Sequence, residues 1–399
     1  MSGVKKTGSN IFKVAIVTSS NLQEWDGIAH VIHEYTVNKP KDVDLAIVQS
    51  LKSKSTRVSS DFIKEAFQGA RIISVDLPIS RLNLQKSKIF RLLLGDGVIM
   101  PIFSVLFKYV MRRKFYEEIG SPDVVYYLSI SDAGRFLRRR NDVLVVVSEH
   151  SWSLNTSYIL RKVSLKLIRK GILSSGIDLF HLFPAQKEAL KTGINGFSLP
   201  NGVDTRKFVP ALRSSEKLKI LFFARLEPCK GIDMVLEIWR KIKNIEGIEL
   251  TIVGSGSKKE DVLAINDNNF NYLGFIEEEK LPDVIGNCDL LLYPSICDTF
   301  GLVVLQALSC GLYIITNDLL ARNFLEFQRI GQLRSINNNV DSYVEEILNF
   351  KADKKVFSLT ESRAICESQY NWSGISHQLY ETLITEWRKK VKLNDFIVR

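Results

Sequence analysis

The sequence predicts an α/β chain made of two doubly wound parallel-sheet domains, and three observations predict it. Short β-branched apolar runs alternate with helical stretches through the first half. The turn-rich segment Leu199-Pro200-Asn201-Gly202-Val203-Asp204 then interrupts that rhythm. A second strand–helix series starts at Lys217. The expected division is a first domain over 1–198, a second over 199–370 and a closing segment over 371–399.

In chain order, Lys13–Thr18 reads as the first buried strand, and a loop through Gly27 leads to a helix over Ile28–Val37. A glycine at that helix start allows close approach of backbone to a ligand. Asp44–Val48 and Arg71–Val75 read as strands, with helical sequence at Asp61–Phe67 between them. Val124–Leu128 and Val143–Ser148 follow as strands, the latter running into Glu149-His150 at a carboxyl end, where open α/β sheets hold ligands. Tyr158–Gly171 reads as a basic helix and Ile177–Leu182 as a strand.

In the second half, strands are expected at Lys219–Ala224, Glu249–Val253 and Asn271–Leu273, with helices at Ile232–Ile242 and Leu281–Cys288. Leu290–Tyr293 is an apolar strand stopped by Pro294. Asp298 and Thr299 stand in capping position for a helix opened by Phe300 and Gly301, running through Leu308 and ended by Gly311. Leu312–Thr316 is the next strand, and Trp372–Lys390 a long closing helix.

The 399 residues suit two to three domains of about 100–200 residues each. No run of 18 apolar residues predicts a membrane-spanning helix, and no apolar core of a signal peptide follows the N-terminus. Five cysteines without CxxC pairing (Cys229, Cys288, Cys297, Cys310, Cys366) read as reduced thiols of a cytoplasmic protein. The net charge of +10 is lopsided: residues 1–200 hold 29 Lys+Arg against 17 Asp+Glu, residues 201–399 hold 25 against 27. Much of the excess falls in Arg81–Glu118, where basic and apolar residues interleave, a pattern suited to an anionic membrane surface or to solvated helix faces. No nucleic-acid module accompanies it, so no nucleic-acid partner is expected.

Three turns carry the candidate chemistry. Arg225-Leu226-Glu227-Pro228-Cys229-Lys230-Gly231 sets two cations around a proline turn, Val253-Gly254-Ser255-Gly256 is a glycine turn after a strand, and Asp298-Thr299-Phe300-Gly301-Leu302 is a helix start. Strand ends on one edge of a parallel sheet converge, and two cations plus helix N-termini suit a diphosphate. Elsewhere Asp42-Val43-Asp44 has the form of a metal-binding D-x-D but sits in an acidic turn before a strand. His30 and His33 share a helix face without evident carboxylate or Cys partners. No metal site and no nucleophile elbow is visible.

Taken in order, Leu199–Asp204 with Phe208 and Pro210, Phe223–Gly231, Ile252–Gly256, Leu273-Gly274-Phe275 with Leu281-Pro282, and Tyr293–Gly311 resemble the family 4 retaining glycosyltransferases of glycosyl transferases group 1. These have the GT-B architecture, two Rossmann-like domains facing a central cleft. The resemblance is continuous over the second half and loose over the first. The tail around Tyr370-Asn371-Trp372 resembles the family segment that crosses back to the first domain.

The resemblance implies transfer of a sugar from a nucleotide-diphosphate sugar to a glycan or lipid-linked acceptor, with no metal and no bound cofactor. By position, Arg225 and Lys230 hold the donor diphosphate, Gly27 and Gly254 let backbone approach it, Phe275 lies by the nucleobase, and amides of Phe300, Gly301 and Leu302 contact phosphate. His150 matches a histidine that bonds the transferred sugar. Asp298 and Gln306 stand where the family places the two glutamates of E-x7-E; the aspartate keeps an acceptor for sugar hydroxyls, while the glutamine weakens a ribose contact. The same departures, and Asp26 where a second Gly is common, also fit a scaffold subunit of a glycosyltransferase complex. The basic half places the expected protein at the cytoplasmic face of a membrane.

Overall fold

The computed structural model describes residues 11–18, 20–50, 58–75, 119–129, 141–148, 176–186, 195–211, 216–337, 339–353 and 357–397. The expected basic stretch Arg81–Glu118, the helix Tyr158–Gly171 and His150 lie outside them.

Two parallel sheets form, and their central strands are apolar runs rich in Val, Ile and Leu that are buried on both faces. The first comprises β1 (Phe12–Thr18), β2 (Val43–Ser50), β3 (Ala70–Val75), β4 (Val124–Tyr127), β5 (Leu144–Ser148), β6 (Leu179–Leu182) and β7 (Gly196–Ser198) in the order β3-β2-β1-β4-β5-β6-β7. The second comprises β8 (Leu218–Phe223), β9 (Ile248–Val253), β10 (Phe270–Gly274), β11 (Leu290–Tyr293), β12 (Tyr313–Asn317) and β13 (Leu333–Ile336) in the order β10-β9-β8-β11-β12-β13. Every ladder is parallel. Both sheets therefore reverse strand order once, between β1 and β4 and between β8 and β11. A crevice opens at the carboxyl ends of such strands because their following loops leave to opposite faces.

The helices that serve the site are α1 (Gly27–Val37), α2 (Ile232–Ile242), α3 (Leu302–Ser309) and α4 (Trp372–Ile397). Asp26 caps α1 by accepting from the N–H groups of Ile28 and Ala29, each at 3.0 Å. α2 buries Ile232, Val235, Leu236, Ile238, Trp239 and Ile242, the i, i+3, i+4 stripe that fixes its facing to the second sheet. Gly301 opens α3 from the left-handed region at φ 89°.

Neither Asp298 nor Thr299 is the N-cap of α3, a position that Gly301 holds without a side-chain cap hydrogen bond. The Asp298 carboxylate is drawn instead to donors deeper in the second domain. β7 and β13, and the helices Val340–Asp353 and Leu359–Gln369, have no counterpart among the elements expected from sequence.

The closing helix α4 returns to the first domain. Its Trp372, Ile375, Leu379, Tyr380 and Leu383 are buried in the first domain's core, and Tyr380 Oη donates to Tyr35 O at 2.9 Å. At the crossing, Val203 N–H donates to Tyr370 O at 2.6 Å, and a Cβ on Gly202 would lie 2.9 Å from the Trp372 Cα and backbone N. Gly202→Ala is therefore expected to overpack this junction at a cost of about 1–3 kcal/mol. Thermal unfolding should show a lowered midpoint, and an undiminished one would mean the two crossings do not press on each other.

Candidate functional site

The second domain brings three loops together at the β8/β11 reversal. After β8, the chain passes Ala224 and Arg225 and makes a short 3-10 turn at Pro228–Lys230 before Gly231, at φ 86°, starts α2. Glycine is required there, since a Cβ on Gly231 would fall 2.6 Å from Pro294 O in the loop after β11. Ile296 N–H donates to Cys229 O at 2.9 Å, tying the two loops. The glycine turn after β9 packs on the same β8 loop: Leu226 N–H donates to Ser255 O at 3.1 Å. A Cβ on Gly254 (φ 129°) would come within 1.8 Å of Ala224 O. Backbone packing thus accounts fully for glycine at 254.

Lys230 and Asp298 meet in this knot as an ion pair, with side chains only 14% and 19% exposed. The other carboxylate oxygen of Asp298, Oδ2, accepts from Tyr293 Oη at 2.8 Å and Ser295 Oγ at 2.6 Å. Burial opposes ionisation of Asp298, but the Lys230 ammonium and these hydroxyls outweigh it and hold its carboxyl below the ordinary carboxylate value. Burial, with the neighbouring Cys229, pushes the Cys297 thiol up to about 11, so it is not a thiolate nucleophile at neutral pH.

Arg225 is exposed at the end of β8, close enough to Asp26 for its charge to favour the ionised carboxylate there, although burial leaves that carboxyl raised overall. A Cβ on Gly27 would lie 3.6 Å from Leu302 Cδ1. The starts of α1 and α3 therefore face each other across the cleft, with Arg225 beside them. The first amides of α3 carry no side-chain cap, and its first internal bond runs from Leu305 N–H to Gly301 O. Those amides point out of the helix end with the positive end of its dipole. Phe300 is fixed behind them by its ring, 5.2 Å from Phe183 and 5.1 Å from Phe324.

The structure gathers Gly27, Arg225, Lys230, Asp298, Phe300, Gly301 and Leu302 around one cleft. Gln306, one turn into α3, lines a cavity of about 380 Å³ between the domains, with Trp25, His30, Lys207, Glu278 and Leu302. Phe275 stands at the end of β10, 63% exposed. Asp44 of the D-x-D pairs with Arg71 at 3.4 Å, and among the described residues no three His, Cys, Asp or Glu are placed to share a metal ion.

His30 and His33 do have carboxylate partners, contrary to the expectation from sequence. His30 Nδ1 lies 3.6 Å from Glu278 and its Nε2 4.0 Å from Glu34, while His33 Nδ1 lies 3.5 Å from Glu34. Glu278 also accepts from Trp25 Nε1 at 3.0 Å and Lys207 Nζ at 3.3 Å. This cluster joins α1 and its preceding turn to the loop after β10.

Residues 203–368 match the model of the family Glycosyl transferases group 1. That stretch makes up most of the second domain, which is therefore similar to the family. Over 132 residues, covering 30% of this chain and 29% of the relative, the chain is 30% identical to the phosphatidylinositol N-acetylglucosaminyltransferase GPI3 subunit of Saccharomyces cerevisiae. The chain spans less than half the length of the curated relatives it matches. Among solved structures, the sucrose-phosphate synthase of Thermosynechococcus elongatus superposes with a TM-score of 0.66 at 16% identity, covering 94% of this chain and 99% of the other. Anabaena HepE in complex with UDP-glucose superposes with a TM-score of 0.63 at 13% identity, covering 94% and 99%. These likenesses establish the GT-B fold of two Rossmann-like domains.

Glu278 links the second domain to the first domain through charge. Burial works against its ionisation, but His30, Trp25 and Lys207 hold its carboxyl below the usual 4.5. Its contribution to stability is thus complete above pH 4.5 and fades as pH falls through the lowered value. Glu278→Gln should cost about 1 kcal/mol at neutral pH, and the gap to the parent protein should narrow below pH 4.5. Denaturant unfolding at both pH values measures it; an equal gap at both would mean that the charge does not carry the link.

Proposed function

We propose that this chain is a retaining glycosyltransferase of family 4, moving a sugar from a nucleotide-diphosphate sugar to an acceptor without a metal ion. One observation carries the proposal: Lys230, Arg225 and the uncapped start of α3 converge where strand order reverses, opposite the start of α1. Cations and outward N–H groups there can neutralise a diphosphate and stabilise it as it leaves. With the Cys297 thiol at the clamp held protonated by burial, the donor's own phosphate oxygen takes the proton of the incoming hydroxyl, which attacks from the face the nucleotide leaves. Gln306 and Phe275 flank the space for ribose and base, and His150 is assigned to the transferred sugar from the family pattern.

The acceptor is a glycan or lipid-linked glycan presented at the cytoplasmic face of a membrane. The excess of 29 Lys+Arg over 17 Asp+Glu in residues 1–200 supports it, as does the similarity to the yeast phosphatidylinositol N-acetylglucosaminyltransferase subunit. No helix among the described residues is long and apolar enough to cross a membrane. That relative's being a subunit favours a second reading, in which this chain works only within a complex; turnover of a nucleotide sugar by the purified chain alone would discard it.

Lys230→Ala should weaken nucleoside diphosphate binding at least tenfold, the loss of one charged hydrogen bond of about 1.5–3 kcal/mol. Calorimetric titration of uridine and guanosine diphosphates into both proteins checks this, and equal affinities would remove the clamp.

A further inference from the structure

Asp298 occupies the position at which the family pattern suggests a carboxylate for sugar hydroxyls, yet its hydrogen-bonding capacity is already committed. One oxygen accepts from Lys230, and the other accepts from both Tyr293 Oη and Ser295 Oγ. A carboxylate offers about four acceptor sites, so three fixed donors leave little for a sugar. Those donors are rigid. Asn317 Nδ2 donates to Ser295 O at 2.5 Å and Thr316 Oγ1 to Tyr293 O at 2.7 Å, while the Tyr293 ring stacks 6.3 Å from Phe222. Aspartate, one methylene shorter than glutamate, reaches Lys230 from the loop without extending into the cleft.

We propose that Asp298 is the resident counter-ion of Lys230, competing with an incoming diphosphate and so setting how loosely that group is held. The proposal rests on the diphosphate role of Lys230 given above. In the ligand-free site Lys230 is paired, and an arriving diphosphate must share the ammonium with a carboxylate of its own sign. At separations of a few ångströms in a half-buried site, such repulsion is larger than the entropy of holding one lysine side chain still. Tight pairing to Tyr293 and Ser295 moderates the competition by spreading the Asp298 charge over three partners. The functional effect is to ease departure of the spent nucleoside diphosphate after transfer.

The test uses inorganic pyrophosphate, which carries neither base nor sugar, titrated calorimetrically into the full chain and its variants. Asp298→Asn, nearly isosteric, should bind pyrophosphate about tenfold tighter at low salt, with the gain shrinking at high salt as screening would require. Ser295→Ala, which leaves Asp298 more dependent on Lys230, should bind it a few-fold weaker, and decides the matter if Asp298→Asn does not fold. Unchanged or weaker pyrophosphate binding by Asp298→Asn, or unchanged or tighter binding by Ser295→Ala, overturns the counter-ion role. Lys230→Ala separates the two levels: if it too leaves pyrophosphate binding unaltered, the diphosphate clamp itself is gone. If it loses binding while Asp298→Asn does not change, only the counter-ion role falls.

Discussion

The site depends on neighbouring strands β8 and β11 carrying their chains to opposite faces of the same sheet. Where that happens no connection covers the strand ends, and the loops that follow are free to meet each other and the domain opposite. In this molecule they meet as backbone against backbone. Gly231 lies on Pro294, Gly254 on Ala224, and Gly256 has no room for a side chain beside Leu226. Such contacts leave little freedom for the residues they carry, so Lys230 and Asp298 arrive in contact without long flexible spans between them.

The same order of strands in the first domain brings Gly27 and the start of α1 to the facing side. There the helix start is already occupied, because Asp26 accepts from two of its amides. The start of α3 has no such cap. Of two similar helix ends confronting each other, one is closed by its own carboxylate and the other is open, which concentrates the free positive dipole on the second domain.

Both sheets were legible in the sequence, because apolar β-branched runs and glycine punctuation mark buried parallel strands well. The Ile232–Ile242 helix has the same limits in the structure as in the sequence pattern. β7 and β13 were not legible, being three or four residues of mixed polarity whose strand character comes from pairing with a formed edge. The loops of the site were legible as turns at strand ends that meet along one edge of the sheet. What they do with one another was not: Asp298 has the local pattern of a helix cap, and only the fold supplies Lys230, 68 residues earlier, as its stronger partner. Likewise Glu34, beside His33 and one turn after His30, stands in the sequence as their near partner, whereas Glu278 is supplied only by the fold, reaching Trp25 across 253 residues. His150 and the basic segment Arg81–Glu118 lie outside the described residues.

The chain passes between its domains twice, at Leu199–Val203 and at Tyr370–Trp372, and the two passages lie side by side, bonded through Val203 and Tyr370. A pair of adjacent tethers behaves as a pintle: it permits one half to swing about that line but resists sliding or twisting of the halves past each other. Any opening of the cleft is then a single-axis motion, with its greatest travel at the cleft rim furthest from Trp372.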